Sequence, residues 1–486
     1  MTPAARLVAA ASILDSITQG RAPADVVIKA WGTANRYAGS KDRRAIAERV
    51  YLVLRSRGRL VRAMGGREDG RALVIGSLAF LDQLSLEEIE ALHSGDGYGP
   101  RPLSKQERAR IEAGEGDDAD GAVAGLPAFV IEDLKATFGD DWSTQAQGLM
   151  ARAPVDLRVN TARTTTQAAK AELTAAGLKP EAMPWSAVGL RLPSEPAPNV
   201  QALEAFNGGR VEIQDEGSQL VTWLAGAGLS LTPDSVVVDY CAGGGGKTLA
   251  LAQIMAPSPL AGEGGGRRPT DEGSRSWSPV ASSSHSSDGG ETPHPTRSAG
   301  HLLPQGEKGR GLIACDVVQK RLDNIQPRLA RAGVAADLRL IGQNGGGVEE
   351  FNGKADLVFV DAPCTGSGAW RRHPEEAWRL KADEVERLHA LQRRILNQAA
   401  QLVKPGGRLA YVTCSVLRAE NEATVEAFEA ANPGFRPVAV ADLVATPTLT
   451  DAARATLAKA ANGHTLRLSP TSTGTDGFFI ALYERT

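Results

Sequence analysis

The sequence predicts an α/β protein, and three observations lead there. From about Gln214 onward, apolar runs of strand length alternate with helical stretches, the pattern of a parallel sheet with crossover helices. All four cysteines, Cys241, Cys315, Cys364 and Cys414, follow such apolar runs. Ahead of this part, a small α+β unit follows a set of amphipathic helices. At 486 residues the chain has room for two or three domains, each with its own core. The expected division is a helical part over 1–135, a small α+β part over 136–213, and the α/β part over 214–486 with an interruption at about 257–310.

The helical part begins with Leu7, Ala10, Leu14 and Ile17 at helical spacing, which argues against a signal peptide. Between Lys41 and Arg67 stand nine basic residues: Lys41, Arg43, Arg44, Arg49, Arg55, Arg57, Arg59, Arg62 and Arg67. Ile46, Val50, Val53, Leu54 and Leu60 run through them at helical spacing, so one face is core and the other basic. A solvated helix face and an RNA-binding face both fit this pattern. In the next part, Asp156–Asn160 and Gly189–Pro193 read as strands and Thr166–Ala176 as a helix ending at Gly177. Then Val236–Asp239, Gly311–Cys315, Leu357–Val360 and Leu409–Val412 read as buried parallel strands. The segment 257–310 holds ten Gly, ten Ser and seven Pro among its 54 residues. Such a composition cannot bury enough apolar surface to offset the entropy of ordering, so a disordered insertion is expected.

Composition narrows the class. Hydrophobic residues make up 42% and charged residues 23% of the chain, as in ordinary globular proteins. The spacing of the four cysteines matches neither a paired zinc pattern nor a disulfide framework, so reduced thiols in a cytoplasmic protein are expected. No apolar run approaches the length of a membrane span. A net charge of −3 excludes a wholly basic surface but leaves room for a local nucleic-acid patch.

The chemistry concentrates at strand ends. Asp361-Ala362-Pro363-Cys364 and Thr413-Cys414-Ser415 each place a cysteine just past an apolar strand. Ligands of open α/β sheets bind at the carboxyl ends of the strands. Two thiols and a carboxylate delivered there point to thiol chemistry, since packing alone could use Val or Ala. A further loop, Cys241-Ala242-Gly243-Gly244-Gly245-Gly246-Lys247, joins the strand ending at Asp239 to a helix; its glycines let the backbone approach a ligand closely. Gly246-Lys247-Thr248 invites a triphosphate-binding reading, but that pattern needs glycine where Cys241 stands. A nucleoside cofactor without a triphosphate fits better, with Asp316 placed to accept hydrogen bonds from ribose hydroxyls.

These residues give the chain a specific resemblance. It resembles the RsmB-type (Sun/Nop) family of RNA cytosine-C5 methyltransferases, whose cofactor loop reads Asp-x-Cys-Ala-Ala-Pro-Gly-Gly-Lys-Thr. Asp239 to Thr248 match that loop except at Gly243 and Gly244. Asp361 to Gly366, Arg371 to Pro374, Thr413 to Ser415 and Glu420-Asn421 match its other motifs. So do Leu157 to Asn160, Gln214 to Ser218 and Asp476 to Phe479, while the N-terminal helices resemble the family's NusB-like domain. The resemblance implies a Rossmann-like class I methyltransferase sheet behind a small α+β RNA-binding domain and a NusB-like one. It implies S-adenosylmethionine as cofactor, held by Cys241 to Lys247, Asp316, Gln343 and Asp361. It also implies an RNA partner, ribosomal before transfer RNA, met by Arg158, Asn160, Arg371 and Arg372, and a monomer with no metal. By resemblance Cys414 adds to cytosine C6, Asp361 holds the N3/N4 edge, and Cys364 helps expel the C5 proton and release the enzyme.

Two positions depart from the family. Gly243-Gly244 replaces Ala-Pro, so restoring that pair is expected to stiffen the loop and tighten cofactor binding or leave it unchanged. Gly342-Gln343-Asn344 stands where an aspartate near the adenosine is usual. Rival readings are a DNA cytosine methyltransferase, an amino-group methyltransferase, and an RNA-binding assembly factor whose catalysis has decayed. The Thr-Cys-Ser motif and RNA-binding-like front parts argue against the first; the second lacks its Asn/Asp-Pro-Pro-Tyr motif. Intact Cys414, Cys364 and Asp361 weigh against the third. One prediction needs composition alone. Replacing 257–310 by a short Gly/Ser bridge is expected to change stability by no more than about 0.5 kcal/mol in thermal melting. A large loss would show that the segment packs on the rest.

Overall fold

The computed structural model describes residues 1–115, 125–194, 198–256 and 311–486; the expected insertion at about 257–310 lies outside them. The N-terminal part is helical: Pro3–Gln19, Ala24–Ala34, Ser40–Arg55, Arg57–Ala63, Gly70–Gly76, Leu86–Leu92 and Lys105–Ala113. Its periodic apolar residues meet as predicted, with Leu7, Leu14 and Ile17 packed with Ile46, Val50, Val53 and Leu54. Ser85 with Glu88 and Ser104 with Glu107 form capping boxes, which satisfy helix-end amides that water would otherwise have to serve. The basic face is largely paired within the chain. Arg49 meets Asp82 at 2.5 Å, Arg57 Glu68 at 2.7 Å, Arg59 Glu115 at 2.6 Å and Arg67 Asp69 at 2.9 Å. Lys41 and Arg44 stay exposed at the start of Ser40–Arg55.

Four short strands follow: β1 (Val155–Val159), β2 (Glu181–Ala182), β3 (Gly189–Leu192) and β4 (Val211–Ile213). They form an antiparallel sheet in the order β2-β3-β1-β4. The helix Thr166–Ala175 closes one face by burying Ala169 and Leu173 against Leu157, Val159 and Leu190. Helices Ala128–Phe138 and Trp142–Met150 pack elsewhere, with Trp370, Leu380 and Val416, on the chain that follows the cysteine turns.

The large sheet comprises β5 (Val236–Asp239), β6 (Gly311–Asp316), β7 (Asp337–Leu340), β8 (Ala355–Asp361), β9 (Val403–Thr413), β10 (Phe435–Pro437), β11 (Thr465–Leu468) and β12 (Phe478–Arg485). Strands β7, β6, β5, β8 and β9 lie side by side and parallel. Strand β12 adds antiparallel to β9, with β10 and β11 on its outer edge. Helices Glu216–Gly226 and Gly246–Met255 cover one face through Leu220, Leu224 and Leu251. Helices Ala382–Ala400 and Glu422–Ala431 cover the other through Leu396, Ala399, Val425 and Phe428. Buried on both faces, the parallel strands are apolar throughout, which is why their sequences read as unbroken runs. Strand order reverses between β5 and β8, so the carboxyl ends of β5, β6, β8 and β9 border one crevice. Among the described residues no helix is long and apolar enough to cross a membrane.

Candidate active site

The glycine loop leaves β5 at Asp239 and turns into Gly246–Met255. Its backbone is tied to β6: the Ala242 N–H donates to Cys315 O at 2.8 Å, and the Gly243 N–H to Asp316 Oδ2 at 3.1 Å. Gly245 caps the helix at φ +78°, and a Cβ there would stand 3.0 Å from Ile325. Gly243 lies at φ +53°, in the left-handed region. This corrects the expectation for the loop. A side chain at 243 does not stiffen a conformation it already favours; it strains this one.

Beneath the loop, Asp239 is fully buried. Its Oδ2 accepts from Thr248 Oγ1 at 2.6 Å, while Oδ1 has no partner among the described residues. Burial first, and repulsion from Asp361 and Asp316, push its pKa up to about 7 against the pull of Thr248 and Lys247. Lys247 reaches Asp361 at 2.7 Å and lies 5.1 Å from the centre of the Phe478 ring. Burial opposes its charge, but Asp361 outweighs burial and the lysine pKa is raised. A surface role for Lys247 is thereby excluded. Asp316 is nearly buried at the end of β6, accepting from the amides of Gly243 and Val318. Gln343 sits exposed in the turn beyond β7, with its carbonyl 3.4 Å from Gln398 Nε2.

The two cysteine turns converge. Cys364 Sγ and Cys414 Sγ are 3.4 Å apart across the ends of β8 and β9. The hydrogen bond to Cys414, then burial, raises the Cys364 pKa well above the ordinary thiol value. Burial, reinforced by Asp239, also pushes up the thiols of Cys241, the first residue of the loop, and of Cys315 at the end of β6.

Of the positions expected to meet RNA, Arg158, Asn160 and Arg371 are buried, while Arg372 is partly exposed. Arg371 is 4% exposed and bonded to Asp476 and Asp215. Arg372 bonds the same two carboxylates, 2.9 Å to Asp215 and 2.5 Å to Asp476. Arg158, wholly buried, donates to Gln214 and Gln253 at 2.6 Å each, and burial lowers its pKa to about 10. Asn160 bonds the carbonyls of Gly209 and Ala332 at 2.9 and 3.0 Å, tying β1 to the end of Gln319–Ala332. All four join distant parts of the chain, Arg371 and Arg372 through carboxylates and Arg158 and Asn160 through neutral acceptors. The sequence reading missed Asp239 and Phe478 as site residues, although both fall inside the motifs Asp239–Thr248 and Asp476–Phe479.

A parallel sheet that reverses beside a glycine loop, with an acidic residue ending the next strand, is the Rossmann-like arrangement that binds nucleoside cofactors. Residues 295–484 match the family described as 16S rRNA methyltransferase RsmB/F. Residues 126–198 match the ferredoxin-like domain of RsmF/B-like methyltransferases. A ribosomal RNA small subunit methyltransferase B from Xanthomonas campestris is 29% identical over 449 residues, 87% of either chain. The protein of that name from Pseudomonas syringae is 28% identical over 361 residues, 73% of this chain; the chain covers 64% of that relative's length. The crystal structure of PH0851 superposes with a TM-score of 0.68 at 21% identity, covering 100% of this chain and 99% of its own, and so shares the fold. These matches support an RsmB-type family of RNA methyltransferases for this chain.

Two outcomes are expected here. Gly243→Ala should cost about 1 kcal/mol in thermal melting, since its Cβ would meet only Cys241 O at an ordinary 3.8 Å and the loss is backbone strain; an unchanged or raised melting temperature would refute that strain. Asp239 ionises near 3.8 when unfolded but near 7 in the folded chain. Its contribution to stability is therefore complete below the lower value and lost as pH rises through the higher. Asp239→Asn removes the titration and should gain on the parent by a few kcal/mol between pH 4 and pH 8. Equal melting differences at both pH values would contradict it.

Proposed function

We propose that the chain transfers a methyl group to C5 of a cytosine in small-subunit ribosomal RNA through a covalent adduct on Cys414. The observation that carries this reading is the 3.4 Å approach of Cys364 and Cys414, with the Lys247–Asp361 pair at the end of the same strand β8. Cytosine C5 is a weak nucleophile until a thiolate adds to C6 and turns the ring into an enamine. Cys414 makes that bond. Asp361 holds the N3/N4 edge and stabilises the charge that develops there, and Lys247, 2.7 Å away, orients its carboxylate. Cys364 Sγ, 3.4 Å from Cys414 Sγ, takes the C5 proton as a thiolate; the C5–H electrons re-form the C5–C6 double bond and the Cys414–C6 bond breaks onto the Cys414 sulfur.

The residues of the crevice fit a nucleoside cofactor. The glycine backbone is open to close approach, Asp239 Oδ1 is buried without a partner among the described residues, and Val317, Val318 and Leu340 expose apolar surface beside Asp316. S-adenosylmethionine, when bound there, supplies the electrophilic methyl group. Asp316 retains lone pairs for ribose hydroxyls, and Gln343 offers an exposed amide for the adenosine. In this reading 1–135 is a helical RNA-binding domain, 136–213 a small α+β domain and 214–486 the methyltransferase domain. The chain works as a monomer in the cytoplasm.

Cys414→Ala should abolish methylation and any covalent RNA adduct. Cys364→Ala should accumulate an adduct that survives denaturing gels. An adduct formed without Cys414 but lost without Cys364 would reverse the assignment. Bisulfite sequencing of ribosomal RNA, with and without the gene, reads the modified base.

A further inference from the structure

Glu420 has no part in the chemistry above, yet it joins the two turns that carry it. It is fully buried, in the turn between Leu417 and the helix Glu422–Ala431. Its carboxylate accepts from the Thr365 N–H at 2.9 Å, from Thr365 Oγ1 at 2.6 Å, from Gln392 Nε2 at 2.9 Å and from Ser415 Oγ. Thr365 directly follows Cys364, and Ser415 directly follows Cys414. A buried carboxylate is expensive unless its lone pairs are filled, and here four donors fill them. Glu420 is itself fixed: its carbonyl accepts from Tyr411 Oη at 2.6 Å, and the neighbouring Asn421 joins Thr413 Oγ1 to Ser415 O.

We propose that Glu420 is the positioning residue that holds the Cys364 and Cys414 turns in register and so sets the distance between the two sulfurs. The proposal rests on the reading of these cysteines as the reacting pair. Other bonds join the same segments further along: Gly368 N to Cys414 O at 2.9 Å, Val416 N to Ser367 Oγ at 2.9 Å, and Ser367 Oγ to Ser415 Oγ at 3.0 Å. They keep the backbones together without Glu420. Apart from a 3.4 Å contact between Thr365 Oγ1 and Ser415 Oγ, Thr365 then has no anchor across the crevice. An amide at 420 has the right shape but turns an NH2 toward donors, so Glu420→Gln removes acceptors while leaving no cavity.

The test uses the full chain. In the absence of RNA and cofactor, diamide removes one hydrogen from each thiol, giving the Cys364–Cys414 disulfide and the reduced hydrazine; mass spectrometry follows the rate. Glu420→Gln should form this disulfide about tenfold more slowly than the parent, and its kcat should fall about 10- to 100-fold with KM for RNA within about threefold. Thr365→Val removes one donor at constant shape and carries the same prediction at smaller size if Glu420→Gln does not fold. A folded Glu420→Gln chain that forms the disulfide at the parent's rate, or whose loss falls on KM rather than kcat, would overturn the proposal. A parent that leaves no C5 methyl mark would overturn the functional reading instead, and the disulfide rate would still decide the role of Glu420.

Discussion

In the large sheet, β8 lies between β5 and β9 in fixed parallel register, with Asp239 level with Phe359 and Asp361 level with Val412. Everything in the crevice follows from that alignment. It sets the Asp361 carboxylate beside the lysine that opens the helix after the glycine loop. It also starts the Cys364 and Cys414 turns from neighbouring points, so a few residues of loop suffice to bring two thiols together. A one-residue slip of β9 would invert its side chains and send Cys414 to the opposite face. Val358, Val360, Leu409 and Tyr411, all buried on one face, resist such a slip.

Buried charge does the remaining positioning. Asp215 caps the helix Glu216–Gly226 and, with Asp476, receives both Arg371 and Arg372. That four-member cluster pins the segment after the Cys364 turn to the loop ahead of β12. Further along, Glu375 accepts from the Ala24 N–H at 2.8 Å, while Arg379 binds the carbonyls of Gly20 and Ala22 at 3.2 Å each. The helical N-terminal part is thus clamped at a helix end by residues that follow the active turn. In the Arg371–Arg372–Asp215–Asp476 cluster, removing one charge would leave its partner buried and alone, which is costly.

The sequence by itself determined much of this. Unbroken apolar runs made β5, β6, β8 and β9 legible as buried parallel strands, and period-3.6 spacing revealed the N-terminal helices. Because ligands gather at the carboxyl ends of such strands, Cys364, Cys414, Asp361 and the glycine loop could be named as a site before any fold was known. Those are local facts, encoded within a dozen residues.

What only the tertiary structure decided lies in pairs far apart in the chain. Arg371 reads as a phosphate contact until Asp476, 105 positions away, is seen against it. Arg158 and Asn160 read as RNA contacts only through the family resemblance, and the fold sets Gln253 and Ala332 against them. Gly243 reads as a loosened alanine until its backbone proves left-handed. Glu420 reads as motif until its four donors arrive from Thr365, Gln392 and Ser415. Whether a polar side chain is free or committed depends on which distant donors and acceptors the fold delivers to it, and hydrophobic periodicity carries no record of them.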